Sequence, residues 1–351
     1  MLIEGVFAAV TTPFYPDERV YYRKLEANIA RYSRSLLAGM VVLGSTGEAP
    51  ALDDSETNEV LRIAAEAASP EKVLIAGLNR ESLRSVLELA ETAAKARYDA
   101  VLVRTPTYYS TQMTPEVVAS YFRTVADRSP LPVILYNIPR CVPYQIPVEM
   151  VAELAHHSNI IAIKDSSGSL DRIKSIVTGT KAAPKRPVSV TRVFEAVTQR
   201  MLQHGGTQGQ TFVPASNLAG GQAVAVAPPV TPMKTRTREV GFQVLTGSAS
   251  IILPSLEAGA SGAILGFGAC APEACYEVFF AWKDRDPELA AMKQDRIAKA
   301  NQRITGELGI AAVKYACDFN GYFGGYPRQP LLPLNADQKA EVDTLLAEIR
   351  N

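Results

Sequence analysis

The chain has 351 residues, of which 47% are hydrophobic and 21% are charged, a balance typical of a globular protein and not of a disordered or fibrous one. Basic and acidic residues both number 36, so the formal net charge is zero and does not favour nucleic acid or an anionic membrane as a partner. We find no run of about 18 apolar residues and therefore expect no membrane span.

The opening segment and the cysteines indicate the compartment. The first residues carry Glu4 and lack the basic stretch of a signal peptide. The four cysteines show no C-x-x-C spacing, and a chain of this size needs no disulfide scaffold. They are Cys141, Cys270, Cys275 and Cys317. We therefore expect a cytoplasmic protein in a reducing compartment.

Eight short apolar runs recur along the chain, with helix-like stretches between them. They are apolar throughout and do not alternate with polar residues, as is typical of parallel strands buried on both faces. In chain order they lie near 5–10, 39–44, 73–77, 100–104, 132–136, 160–164, 242–247 and 262–267. In one intervening helix, over 55–68, Ser55 is the expected N-terminal cap.

Eight such units predict an α/β fold, a closed (β/α)8 TIM barrel over residues 1–270. The alternative is an open, doubly wound sheet, which the missing G-x-G-x-x-G after the first run weakens. Residues 271–351 are predicted to form a C-terminal helical region that packs on the barrel and is not a separate domain.

The spacing of the runs is irregular at one place, between the sixth and the seventh. The gap there is about 80 residues, so we predict an insertion over about 179–237. It contains a helix-like stretch over 190–204 and Gly- and Pro-rich extended segments after it. An insertion between helix 6 and strand 7 lies at the N-terminal face of a barrel, opposite the catalytic face. A structural or subunit-contact role is the favoured interpretation, and a regulatory site is the alternative.

Lys164 is the most informative residue, because it ends the sixth apolar run and precedes the sequence DSSG. Barrel strands end at the catalytic face, so its side chain is expected in the mouth among apolar walls, which disfavour the charged form of an amine. A neutral amine there can attack a ketone and form a Schiff base. The alternative is a lysine that closes a strand and pairs with an acid.

Other strand ends carry groups suited to proton transfer or to binding an anion. Tyr136 ends the fifth run, where a phenol either shuttles protons or serves only as an amphipathic ring. The sequence GSTGE follows the second run, and its hydroxyls and backbone N–H groups suit a carboxylate. Ser45 and Glu48 in that sequence also have the spacing of a capping box.

Metal and serine-nucleophile chemistry are not favoured. The only histidines are His156, His157 and His204, and none ends an apolar run. We therefore expect no metal and no cofactor. A metal-dependent aldolase is the alternative, and a chelator tests it.

Five short motifs are more informative together, in their order along the chain, than each is alone. TTPF, GSTGE, TPTYY, YNIP and IKDSSG follow the first, second, fourth, fifth and sixth runs. This order resembles the dihydrodipicolinate synthase / N-acetylneuraminate lyase superfamily of pyruvate-dependent class I aldolases, over nearly the whole chain apart from the insertion. The resemblance implies a TIM barrel with C-terminal helices, a pyruvate-type 2-oxo acid substrate and a homo-oligomer, usually a homotetramer.

The resemblance also implies the roles of the site residues. Lys164 would form the imine with the 2-oxo group, and Tyr136 would relay protons. One tyrosine of the TPTYY motif would complete the relay, and which of the two it is stays open. The remaining residues are the relay candidates Tyr108 and Tyr109, the carboxylate-binding Ser45 and Thr46, and Ser166 and Gly247 beside the substrate.

The stretches FQVLTGSAS and DFNGYFGGYPRQPLLPL are most similar to 4-hydroxy-2-oxoglutarate aldolases. The synthase pattern places an arginine two residues after the Pro of Y-N-x-P, where this chain has Cys141, with Arg140 one residue early. Ala269 stands where the family has a typical Asn. Dihydrodipicolinate synthase activity, joining pyruvate to aspartate semialdehyde, is the second hypothesis. A barrel without catalysis that serves as a binding protein is the third.

Overall fold

The computed structural model describes residues 1–191, 196–204 and 235–349. Eight parallel strands close into a barrel, so the predicted TIM barrel is confirmed, and each apolar run supplies one barrel strand. The strands are β1 (Gly5–Ala9), β2 (Gly39–Val42), β3 (Val73–Gly77), β4 (Ala100–Arg104), β5 (Val133–Asn137), β6 (Ile160–Asp165), β7 (Arg186–Thr191), β8 (Thr235–Val240), β9 (Gln243–Thr246) and β10 (Gly262–Leu265). Strands β7 and β8 lie outside the barrel as an antiparallel pair, and β1 closes the barrel against β10.

Helices alternate with the barrel strands and continue after the last one. They are α1 (Tyr22–Arg34), α2 (Asp54–Ala67), α3 (Leu83–Lys95), α4 (Pro115–Arg128), α5 (Val148–Leu154), α6 (Leu170–Thr180), α7 (Gln199–His204), α8 (Ile252–Glu257), α9 (Pro272–Lys283), α10 (Pro287–Asn301), α11 (Ile310–Phe319) and α12 (Ala336–Leu346). A π-helical segment, Gln302–Leu308, joins α10 to α11. None of the helices in these described ranges is long and apolar enough to cross a membrane.

The cap predicted for α2 is wrong by two residues. The Asp53 carboxylate accepts the Glu56 backbone N–H at 2.8 Å, and the Glu56 carboxylate accepts the Asp53 N–H at 3.1 Å. This capping box satisfies two N–H groups that the helix itself leaves free. Ser55 lies inside the first turn and donates its hydroxyl to Asp53.

Side chains alternate between two cores along each barrel strand, as the two-residue period of a strand requires. One core fills the barrel, and the other lies between the sheet and the helices. The interior core includes Phe7, Val41, Ile75, Leu102, Ile134, Ala162, Leu245 and Ile264. The period therefore decides whether a polar residue at a strand end points into the barrel or toward the helices.

The described part of the insertion covers the amino-terminal ends of the barrel strands, the face that the sequence predicted. Arg200 donates to the carbonyls of Lys72 and Arg97, which precede β3 and β4. Arg186 donates to the carbonyl of His157 at 2.7 Å and to that of Ile160 at 3.0 Å, at the start of β6. Backbone carbonyls at this face are thus satisfied by guanidinium groups of the insertion.

The helix predicted over 190–204 is only partly correct. Residues up to Thr191 belong to β7, and α7 starts at Gln199. The Gly- and Pro-rich segments predicted between about 205 and 234 lie outside the described residues. The predicted domain boundaries stay a prediction.

The C-terminal helices pack on the barrel. The Asn28 side chain of α1 donates to the Phe323 carbonyl at 2.8 Å and accepts the Phe323 N–H at 2.9 Å. The Asn320 amide donates to the Cys270 carbonyl at 2.8 Å, just after β10. The bonds of Asn28 join the C-terminal region to the first α/β unit, and the bond of Asn320 joins it to the segment after the last barrel strand.

Candidate active site

Lys164 and Tyr136 are neighbours in the barrel mouth. Both continue the inward-facing series of their strands, after Ala162 and Ile134, and they are register partners across β5 and β6. The Lys164 Nζ atom lies 4.4 Å from the centroid of the Tyr136 ring. Their exposures are 3% and 4%, so an amine and a phenol meet at a buried position near the carboxyl end of the barrel.

Asp165 does not neutralise Lys164, although it is adjacent in sequence. Its side chain points to the opposite face of β6, where it accepts a hydrogen bond from Asn137 at 2.8 Å and pairs with Arg172 of α6 at 2.7 Å. Lys164 forms no ion pair with any residue in the described ranges. The arrangement therefore differs from that of a lysine that closes a strand by pairing with an acid.

Ser166 and Gly247 are in direct contact beyond the ends of β6 and β9. The Gly247 N–H donates to the Asp165 carbonyl at 2.7 Å. A Cβ atom at Gly247 would lie 1.9 Å from the Ser166 Oγ and 2.8 Å from its Cβ. Only glycine therefore fits here, and the place of both residues beside the substrate stays a prediction.

The GSTGE turn follows β2 and leaves Ser45 and Thr46 half-buried. The Thr12 hydroxyl, from the loop after β1, donates to the Gly47 carbonyl at 2.7 Å. The predicted capping box is wrong: residues Ser45–Gly47 form a short 3₁₀ turn with no side-chain cap, and the Glu48 carboxylate faces the C-terminal region. The turn reaches the mouth, because Thr46 lies against Gly266 at the end of β10.

The loop that carries Tyr108 and Tyr109 is organised by Glu81. This carboxylate pairs with Arg104 at 2.6 Å and accepts the backbone N–H groups of Thr107 at 2.7 Å and Tyr108 at 3.1 Å. Burial by itself raises the pKa of Glu81, but these hydrogen bonds outweigh it and lower the pKa to about 2.

The two tyrosine rings of that loop are 79% and 62% exposed and stack edge to face at 5.1 Å between centroids. The described contacts do not favour one of them over the other as the relay residue.

Three charged residues that the sequence motifs did not indicate lie close to them. Arg104 ends β4 in register with Tyr136, and Glu81 pairs with it from the loop after β3. Lys314 lies in α11 and pairs with Glu48. Arg104 could have been found from the sequence, because it is a charged residue at the end of an apolar run. Lys314 could not, because it lies in a largely apolar helix with no motif around it.

The residues that depart from the family pattern lie at or behind the mouth. Cys141 is exposed, and the Arg140 guanidinium beside it donates to the Gly306 carbonyl of the π-helical segment. Ala269 is buried, and its carbonyl accepts the Tyr32 hydroxyl. No cluster of metal-ligating side chains is found within 1–191, 196–204 and 235–349.

A TIM barrel that brings a buried amine, a phenol and two hydroxyls to the carboxyl ends of its strands has the architecture of an enzyme. The chain belongs to the dihydrodipicolinate synthetase family, whose model matches residues 2–227 and 229–349.

Two curated relatives show the range of activities in the family. A 4-hydroxy-tetrahydrodipicolinate synthase of Natronomonas pharaonis is 27% identical over 345 residues, which are 98% of this chain and 97% of the relative. An L-threo-3-deoxy-hexylosonate aldolase of Hypocrea jecorina is 27% identical over 352 residues, covering 99% and 95% of the two chains. Synthases and aldolases of this family make or break carbon–carbon bonds, and this chain is a carbon–carbon lyase of the family.

Solved structures support the fold. YagE, a prophage protein of E. coli K12 that was crystallised in complex with pyruvate, superposes with a TM-score of 0.78 at 24% identity over 99% of each chain. This likeness concerns the fold. The likeness to 4-hydroxy-2-oxoglutarate aldolases in particular stays a prediction.

Proposed function

We propose that this enzyme is a class I aldolase that forms a Schiff base between Lys164 and a pyruvate-type 2-oxo acid. The observation that carries the proposal is the Lys164 amine, which is 3% exposed, unpaired with any carboxylate of the described chain, and 4.4 Å from the Tyr136 ring centroid. A primary amine that no carboxylate neutralises, at the carboxyl ends of barrel strands, is placed to attack the carbonyl carbon of a 2-oxo acid.

The proposed cleavage begins with a 2-oxo-4-hydroxy acid whose carboxylate is held by Ser45 and Thr46. The Lys164 amine adds to C2, and loss of water gives an iminium ion. Tyr136 takes the proton of the C4 hydroxyl, the C3–C4 bond breaks, and its electron pair moves into the iminium to give an enamine. An aldehyde leaves, C3 is protonated, and hydrolysis frees pyruvate and Lys164.

The substrate we propose is 4-hydroxy-2-oxoglutarate, which would yield pyruvate and glyoxylate. The similarity of FQVLTGSAS and DFNGYFGGYPRQPLLPL to aldolases of that substrate supports it. The second candidate is the condensation of pyruvate with aspartate semialdehyde, which the synthase names of several relatives favour. Against it, Arg140 is one residue early and its guanidinium donates to the Gly306 carbonyl.

The first experiment is borohydride trapping with pyruvate, read by intact mass and peptide mapping. We expect one reduced pyruvyl adduct on the peptide that contains Lys164. Lys164→Arg keeps the charge but cannot form the adduct, and Lys72→Arg is the matched control, because Lys72 is a part-buried lysine at the other face of the barrel. No adduct on folded wild-type protein would contradict the proposal.

A panel of aldehydes then separates the two candidate reactions. We expect condensation of pyruvate with glyoxylate and cleavage of 4-hydroxy-2-oxoglutarate. Faster consumption of aspartate semialdehyde than of glyoxylate would favour the synthase.

We also propose a cytoplasmic homo-oligomer, a homotetramer by resemblance to the family. The exposed rings of Tyr108 and Tyr109 support a subunit contact, because large apolar groups at one place on a surface commonly mark an interface. Light scattering coupled to gel filtration tests the oligomeric state, and a monomer at micromolar concentration would contradict it.

A further inference from the structure

The GSTGE turn ends in a buried ion pair with the C-terminal region. The Glu48 side chain is 2% exposed, and its carboxylate contacts the Nζ atom of Lys314, which is fully buried in α11. The second Glu48 oxygen accepts the backbone N–H of Arg328 at 2.8 Å. Glu48 follows the turn that carries the Ser45 and Thr46 hydroxyls, and both oxygens of its carboxylate contact residues of the C-terminal region.

Lys314 is fixed on its other sides as well. Its Nζ donates to the Tyr326 carbonyl at 2.6 Å and lies 4.2 Å from the centroid of the Phe14 ring. A Cβ atom at Gly324 would lie 1.9 Å from the Lys314 carbonyl oxygen, so this segment approaches α11 as closely as backbones can. Burial lowers the pKa of Lys314, and the Glu48 charge opposes that shift.

A buried pair of this kind is costly to assemble and is weak support for stability by itself. Stability alone therefore does not account for this buried ion pair. Its position next to the turn over Ser45–Gly47 suggests another role. Glu48 has a left-handed backbone, with φ of 53°, directly after the turn that carries Ser45 and Thr46. The anchored carboxylate thus belongs to the residue that directly follows the turn over Ser45–Gly47.

We propose that Lys314 is a positioning residue of the active site, which acts through Glu48 to hold the turn over Ser45–Gly47 in the geometry that binds the substrate carboxylate. The proposal rests on the function proposed above. Thr12 holds the same turn from the barrel side, through its bond to Gly47. The turn over Ser45–Gly47 is therefore held by Thr12 from the barrel and by Lys314 from the C-terminal region.

The test measures how pyruvate concentration controls borohydride trapping at Lys164. For Lys314→Met we expect the half-saturating pyruvate concentration to rise roughly tenfold, because small displacements of binding groups have large effects, while the limiting rate changes less. Arg200→Met is the matched control, since it removes the cation of a buried ion pair at the opposite face. We expect its half-saturating concentration to equal that of the wild type.

A double-mutant cycle tests whether Lys314 acts on pyruvate binding through Glu48. Because Lys314 acts through Glu48, the variant with both Glu48→Gln and Lys314→Met should resemble Glu48→Gln alone, and the two effects should not multiply. Multiplying effects would overturn the proposal. An unchanged half-saturating concentration in folded Lys314→Met, or an equal rise in Arg200→Met, would also overturn it.

Should Lys314→Met fail to fold, Glu48→Gln carries the test, because it keeps the shape of the side chain and removes only its charge. A rise in its half-saturating concentration supports the proposal, and no rise overturns it. Absence of trapping in the wild type would instead refute the proposed function itself.

Discussion

The two ends of the barrel use buried charge differently. At the amino-terminal face, Arg200 lies 3.6 Å from Asp99, and the Asp99 oxygens also accept the N–H groups of Leu74 and Gln199. At the mouth, Lys164 has no carboxylate partner among the described residues and contacts an aromatic ring. The buried charges at the amino-terminal face join segments of the chain, whereas the Lys164 amine has no carboxylate partner, which is what the proposed Schiff-base chemistry requires.

At the amino-terminal face, burial disfavours the charged form of Asp99. Burial raises the pKa of Asp99, although Arg200 and two backbone N–H groups lower it in part. The insertion supplies both Arg200 and the N–H of Gln199 to this face. The ion pair therefore connects the insertion to β3 and β4 and is remote from the proposed reaction.

The largest effect should come from removing the phenol at the mouth. Tyr136→Phe leaves the ring packed but removes its proton acceptor, so we expect turnover to fall by about a hundredfold or more, as for the loss of a general acid–base. Imine formation at Lys164 should largely persist. Steady-state cleavage rates and borohydride trapping measure the two, and unaltered turnover would exclude Tyr136 from the relay.

The next effect should appear in stability alone. Arg200→Met leaves Asp99 buried without its cation, which we expect to lower the free energy of unfolding by about 3 kcal/mol. Adding Asp99→Asn should recover part of the loss. Denaturant melts measure stability, and turnover per folded molecule should equal that of the wild type; reduced turnover would show that the two ends of the barrel are coupled.

The smallest effect concerns the tyrosine loop in acid. The pKa of Glu81 is lowered from an ordinary 4.5 to about 2, so its stabilisation is complete above the ordinary value and is lost as the pH falls through the folded value. Glu81→Gln lacks this titration. We expect amide exchange in residues 105–112 to be slower in the wild type than in Glu81→Gln at pH 5, and the difference to shrink as the pH falls toward the folded pKa; a ratio independent of pH would contradict this assignment.

The sequence was sufficient for the barrel because its strands are apolar on both faces, and each such run proved to be a strand. It was also sufficient to place Lys164 and Tyr136 together, since the period of two and the parallel order determine where strand ends meet. The roles of both residues stay predictions.

Sequence failed where partners are distant or are backbone atoms. The spacing of Ser45 and Glu48 also fitted a capping box, but the Glu48 carboxylate pairs instead with Lys314, which is far away in the sequence. The contacts of Arg186 and Arg200 could not be foreseen, because their acceptors are carbonyl oxygens that every residue has.

The β7–β8 ladder has a consequence for protein engineering. Thr191 and Thr235 are register partners, so the chain leaves and re-enters the ladder at two neighbouring points. Two neighbouring strands lie roughly 5 Å apart, a separation that the ends of many compact domains can span. A reporter or affinity module grafted at the ladder would therefore lie at the amino-terminal face of the barrel, opposite Lys164.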